Sequence, residues 1–196
     1  MLFVRTLLIN LKSMLLYRLK NSILLWKEKV IYKKNILITG TISIKNKGRF
    51  TIGDNVIINS NKRINPIGYH LRTDIRVLHN ASLNIMNNVG MSNVNIFVQK
   101  SINIGNNVLI GGGTNIWDTD FHSIDYKQRI CESDNNILCS AINIEDNVFI
   151  GANVTILKGV TIGNGAVIGA SSVVSKSIPS NEIWAGNPIE FIKKCN

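Results

Sequence analysis

The 196-residue chain reads as all-β, a parallel β-solenoid preceded by a short helical segment, and three observations carry that reading. Residues 144–179 divide into six consecutive blocks of six: IEDNVF, IGANVT, ILKGVT, IGNGAV, IGASSV and VSKSIP. An aliphatic residue opens every block, at Ile144, Ile150, Ile156, Ile162, Ile168 and Val174. The fifth place is small or β-branched (Val148, Val154, Val160, Ala166, Ser172, Ile178), while Gly, Asn, Asp and Lys gather between. A period of six is neither helical nor that of one long strand. It fits short strands joined by tight turns, three to a triangular coil, with Asn and Gly at corners that need left-handed backbone angles. Each coil then buries its aliphatic edge only against the coils above and below.

Residues 1–34 differ from everything after them: they lack Gly, Pro and the six-residue period, and read as one or two amphipathic helices. Leu8, Leu11, Leu15, Leu19 and Ile23 can share one helical face, with Arg5, Lys12, Lys20 and Lys27 elsewhere around the axis. The segment holds eight of the chain's 22 basic residues and one acid, Glu28, so it carries +7 of the net +10. Two roles suit it: packing on the solenoid or a neighbouring subunit to cap an open end, or resting on an anionic membrane surface. No apolar run approaches the roughly 18 residues of a spanning helix. The charge does not precede the apolar run and no cleavage site follows, which argues against a signal peptide. Stacking aromatics do not interleave with the basic residues, so nucleic acid is not expected.

The solenoid is expected over 35–178. The period starts weakly at Ile36 and Ile42, is clearer at Ile52 and Ile58, breaks between Asn59 and Ser82, and returns from Leu83. His70 and His79 fall in the break; with no HxxxxH pair beside them they read as surface or corner residues, and no metal is expected. The period then runs cleanly through Val98, Ile104, Ile110 and Ile116. His122 stands six places beyond Ile116, where an aliphatic is due. The frame resumes at Leu138, so residues 123–137 leave the solenoid as a polar loop containing Arg129. Pro179 and Pro188 are expected to end the β pattern, leaving 179–196 as a tail with a short strand or helix. Cys131, Cys139 and Cys195 show no CxxC spacing and read as reduced thiols.

Several motifs bear a resemblance: GMSN (90–93), IGNNVLIGGG (104–113), DTDFH (118–122), IGANVTILKGVTIGNGAVIGASSVVSK (150–176) and AGNPIEFIKK (185–194). With these the chain resembles the left-handed β-helix hexapeptide-repeat acyltransferases. It is most similar to the galactoside and maltose O-acetyltransferase branch, and within that to enzymes acetylating capsule and O-antigen sugars. The resemblance implies the left-handed connection, a homotrimer with sites between subunits and acetyl-CoA as donor; the reduced thiols and the lack of a signal-peptide pattern point to a cytoplasmic location. It makes His122 the general base, a role the chemistry supports independently, because a sugar hydroxyl is a poor nucleophile until its proton is removed.

Asp118 and Asp120 precede His122 closely enough for either to orient the ring. The galactoside enzymes lack this acidic pair, and both residues can equally be turn residues bonded to local backbone. By resemblance, Asn93 and Phe149 flank the acceptor; Arg129 joins them from the loop. Ala152, Gly159, Ala170, Ser175, Lys176 and Lys193 match the CoA groove, with the Ala152 amide donating to the oxyanion. Glu190 departs from the pattern, standing where the galactoside enzymes carry a base. The expected activity is O-acetylation of a sugar hydroxyl in surface-polysaccharide synthesis, by direct transfer. The alternatives are N-acetylation of an amino sugar, acetylation of a xenobiotic, or a non-catalytic scaffold.

Overall fold

The computed structural model describes residues 2–61, 65, 67, 72–130 and 136–195, with side chains from Leu15 onward. His70, Cys131, Pro66 and Gly68 lie outside the described residues. The described strands form three sheets of six, eight and six strands, each sheet built from one strand per successive coil. Every pairing between coils is parallel and in register, so the block-opening residues become vertical columns. Ile52, Ile85, Ile104, Ile144 and Ile162 stack down one sheet. Ile38, Ile58, Met91, Ile110, Ile150 and Ile168 stack down the second. Ile44, Ile75, Ile96, Ile116, Ile156 and Val174 stack down the third. All are buried. Burying an aliphatic side chain is worth about 1.5–3 kcal/mol, so the columns together form the core.

Corners follow from the residues that tolerate them. Asn35, Asn55, Asn88, Asn107 and Asn147 occupy equivalent corners with φ between 56° and 61°, a region Asn enters more readily than other side chains. Their amides hydrogen-bond one to the next at 2.9–3.2 Å, ending on Asn164. This ladder satisfies polar side chains along an edge that the aliphatic columns cannot reach.

The solenoid is longer than the sequence suggested at both ends. Ile31–Tyr32 already pairs with Thr51 and Ile52. Beyond Pro179, Glu182–Ala185 continues the parallel stack on Val167 and Ile168. Pro179 therefore does not end the β pattern; it lies in the corner between Ile178, which bridges to Ile162, and that strand. The tail is a strand, Glu190–Lys194, antiparallel to Glu182–Ala185. The break expected over 59–82 is narrower, because Asp74–Val77 forms a regular strand pairing with Ser43–Asn46 and Asn95–Val98. The second excursion is anchored by an antiparallel bridge between Thr119 and Cys139 and contains a short helix, Tyr126–Arg129, with Asp125 as its N-cap.

Helix α1 (Leu2–Lys27) is continuous. Leu25, with Val30 just after the helix, joins the core; Asn21 is buried and its Nδ2 donates to the Gly40 carbonyl at 2.9 Å. Asn46 secures the helix end, its N–H donating to a Glu28 carboxylate oxygen at 2.8 Å and its Nδ2 to the Glu28 carbonyl at 2.9 Å. The helix thus packs on the first coil, but through Leu25 and Asn21. Leu15, Leu19 and Ile23 do share a face, and that face is exposed. Leu8 and Leu11 lie outside the described side chains. Among the described residues, no helix is long and apolar enough to cross a membrane.

Candidate active site

The third sheet presents an outward-facing groove of about 820 Å³. Strand alternation puts Ile96 and Ile116 into the core and turns Phe97 and Trp117 outward on neighbouring coils. Phe121 completes an aromatic cluster, its ring centroid 4.8 Å from Phe97 and 5.5 Å from Trp117. The rest of the lining is polar and includes Arg72, Asp74, Arg76, Asn93 and Asn95, with Tyr17 of α1 at one edge. Two buried polar atoms of this lining, Trp117 Nε1 and Asn93 Oδ1, have no partner among the described residues. Burying such an atom without a hydrogen bond costs about 1–3 kcal/mol.

Sequence DTDFH becomes a tightly held turn at the groove's rim. Asp118 is fully buried, and its carboxylate accepts from the backbone N–H groups of Gln99 (2.7 Å), Lys100 (2.8 Å) and Ser101 (2.7 Å). Thr119 Oγ1 donates to Gln99 Oε1 at 2.8 Å, and Asp120 N–H donates to the Leu138 carbonyl at 3.0 Å. Phe121 sits at φ +64°, a conformation that strains a bulky side chain. Its aromatic contacts hold it there. The exposed His122 follows directly.

The two expected orienting carboxylates are used differently. Asp118 uses both oxygens on backbone amides of Gln99, Lys100 and Ser101, one coil away and not on the local turn backbone weighed for it from sequence. Asp120 Oδ1 pairs with Lys158 Nζ at 2.7 Å, while its Oδ2 is buried with no partner among the described residues. Nothing in the sequence singles out Lys158. Phe97 and Trp117 did have a signal: each occupies an outward strand place where the equivalent residues of earlier coils are Lys45 and Arg76.

The remaining expected residues are scattered within one chain. Asn93 lines the groove at φ +48°, its Nδ2 donating to the carbonyls of Asn65 and Ile67 at 3.2 and 3.1 Å. Arg129 is spent on its own loop, with Nη1 donating to the Ser123 and Ile124 carbonyls, each at 2.7 Å. Phe149 is half exposed on the second sheet, away from the groove, beside Leu109 and Ile57. The Ala152 carbonyl accepts from Ser171 N–H at 2.8 Å, whereas its own N–H donates to no group among the described residues. Gly159, at φ +79°, donates to the Ser140 carbonyl at 3.1 Å and follows Lys158 directly. Gly151 packs so closely on the next coil that a Cβ there would lie 2.6 Å from Ala170 N, which keeps this corner slim. Ala170, Ser175, Lys176 and Lys193 are exposed toward the C-terminal end, Lys176 Nζ lying 5.2 Å from the centre of the Trp184 ring. His79 is an exposed turn residue.

The family described as bacterial transferase hexapeptide (six repeats) matches residues 141–176. An Escherichia coli K12 chain named as a lipopolysaccharide biosynthesis O-acetyl transferase, WbbJ, is 33% identical over 186 residues, covering 91% of this chain and 88% of that one. A Schizosaccharomyces pombe chain named as an acetyltransferase is 45% identical over 93 residues, 47% of this chain; the match spans 43% of that relative's length. Among solved structures, the hexapeptide-repeat acetyltransferase of Vibrio cholerae O1 biovar eltor complexed with acetyl coenzyme A superposes with a TM-score of 0.58 at 26% identity. That match covers 85% of this chain and 71% of the other.

Proposed function

Because the chain belongs to the hexapeptide-repeat transferases, with their left-handed parallel β-helix, we propose that it is an acetyl-CoA-dependent O-acetyltransferase. Its acceptor is a sugar hydroxyl in surface-polysaccharide synthesis. The observation that carries this reading is the groove itself: an aromatic and amide lining that reaches Phe121, next to His122. A pyranose has apolar C–H faces and a polar rim, and that composition matches an aromatic and amide lining.

In this mechanism His122 takes the hydroxyl proton as the sugar oxygen attacks the thioester carbonyl. The Ala152 N–H donates to the tetrahedral oxyanion; the carbon–sulfur bond then breaks, and the CoA thiolate leaves with the proton returned from the imidazolium. Asp118 holds the turn, and Asp120 with Lys158 sets the electrostatics beside His122. Lys176 and Lys193 meet the CoA phosphates, with Trp184 beneath Lys176 as a flat support. A reducing cytoplasm suits this donor and the free thiols of Cys139 and Cys195.

The working unit is a homotrimer. Ile57, Leu109 and Phe149 form an exposed apolar stripe on the second sheet, which a neighbouring subunit covers. Phe149, remote from its own chain's groove, then flanks the neighbour's. Acetyl-CoA turnover against a panel of sugar acceptors, read as free thiol release on protein sized by light scattering, tests the reading. Acceptor-dependent release by a trimer is expected; no release with any sugar refutes the activity, and an active monomer refutes the assembly.

A further inference from the structure

We propose that the outward face of α1 is a docking surface for an anionic phospholipid bilayer. At 3.6 residues per turn, Leu15, Leu16, Leu19, Ile23 and Trp26 fall within an arc of about 100°. They are 58%, 57%, 61%, 58% and 79% exposed. Single exposed aliphatics are ordinary on a protein surface; five large ones in one helical stripe are not. The opposite side of the same helix is committed, since Asn21 and Leu25 fix it to the first coil. The helix therefore cannot roll to hide its stripe without abandoning those contacts.

Charge identifies the occupant. Arg18, Lys20 and Lys27 are exposed along the two margins of the stripe, and the helix also contains Arg5 and Lys12. No acidic residue occurs between Leu2 and Lys27. A second copy of the helix laid against the stripe would bring basic margins against basic margins. A bilayer rich in anionic lipid offers the complement, a hydrocarbon layer for the leucines beneath negative headgroups for the basic residues. Trp26, amphipathic and the most exposed of the five, suits the headgroup level. Seated this way, α1 lies in the plane of the surface. Tyr17, on the helix's other flank, lines the groove, so the groove opens about one helix diameter, roughly 10 Å, from the headgroups.

The test uses the full chain and two vesicle compositions, phosphatidylethanolamine with phosphatidylglycerol and pure phosphatidylcholine, separated by sedimentation. The wild-type chain is expected to sediment with the anionic vesicles, to be released by high salt, and to ignore the neutral ones. The double variant Leu19→Glu with Ile23→Glu is expected to lose roughly tenfold or more in partitioning. Its melting temperature and light-scattering mass should not change, because both side chains are exposed. Failure of the wild type to bind anionic vesicles, or equal binding by the variant, overturns the proposal. A lower light-scattering mass for the variant without vesicles also overturns it, and makes the stripe an interface between copies.

Discussion

The coils after residue 141 and the coils between 73 and 120 are built on the same columns but treat their polar groups oppositely. Among the described residues, the four buried side-chain atoms without a partner (Thr73 Oγ1, Asn93 Oδ1, Trp117 Nε1 and Asp120 Oδ2) all belong to the middle coils. In the later coils, buried Ser172 is fully used, its Oγ donating to the Gly169 carbonyl at 2.6 Å and accepting from Gly186 N–H at 2.9 Å. The regular repeat spends its residues on a satisfied stack. The middle coils leave polar atoms unmet and hold Phe121 in a strained backbone. Unpartnered buried groups are costly and persist where a ligand rewards them, so the difference is what the proposed sugar subsite in the middle coils requires, with the donor groove resting on the regular repeat.

His122 gives the sharpest test of that division. His122→Ala is expected to lower kcat by about 10² to 10⁴, while the melting temperature and acetyl-CoA affinity hold, since an exposed loop residue packs little. His122→Asn should behave the same way. Near wild-type turnover by both variants would move the base elsewhere and erase the distinction. The two aspartates should divide next. Asp118→Ala removes the acceptor of three part-buried backbone donors and is expected to destabilise by about 2–3 kcal/mol. Asp120→Ala should leave the melting temperature within about 1 kcal/mol of wild type, since its ion pair is partly exposed, yet lower activity and alter the pH profile of kcat. Equal thermal losses from the two substitutions would deny Asp120 a role in the site. The smallest effects should fall on substrate contacts: Trp117→Ala raising the sugar KM and Lys176→Ala raising the acetyl-CoA KM, each a few-fold, because remote contacts act uniformly on ground and transition states. If each variant changed the other substrate's KM instead, the two halves of the site would have been assigned in reverse.

The columns were legible because a period of six with an aliphatic at each start has few physical solutions, and Ile144 through Val174 fell where the frame put them. The ends were less legible. Ile31–Tyr32 is too short to show a period, and Pro179 looked like a stop although a corner accepts it. The turn at Asp118–His122 could be located by the misplaced His122, but the fate of Asp118 depended on Gln99, Lys100 and Ser101, one coil away, which linear spacing does not bring together. Lys158 was invisible for the same reason. The aromatic shelf was readable in principle, from Phe97 and Trp117 standing at outward places, but without the coil stacking they are isolated aromatics. On α1, the pattern showed which residues share a face and could not show which face the solenoid would claim.

A stack of parallel coils has no intrinsic length, and its bare end is a template on which another chain's strands could continue the columns into a fibre. This chain closes both ways in. α1 lies over the first coil through Leu25 and Asn21, and at the other end Glu190–Lys194 runs antiparallel along the last coil, so a parallel newcomer meets reversed polarity. That final strand is exposed along its length and carries Glu190, Lys193 and Lys194, charges that discourage edge-to-edge pairing. What stops the stack is therefore not the repeat but the two terminal segments laid over its ends.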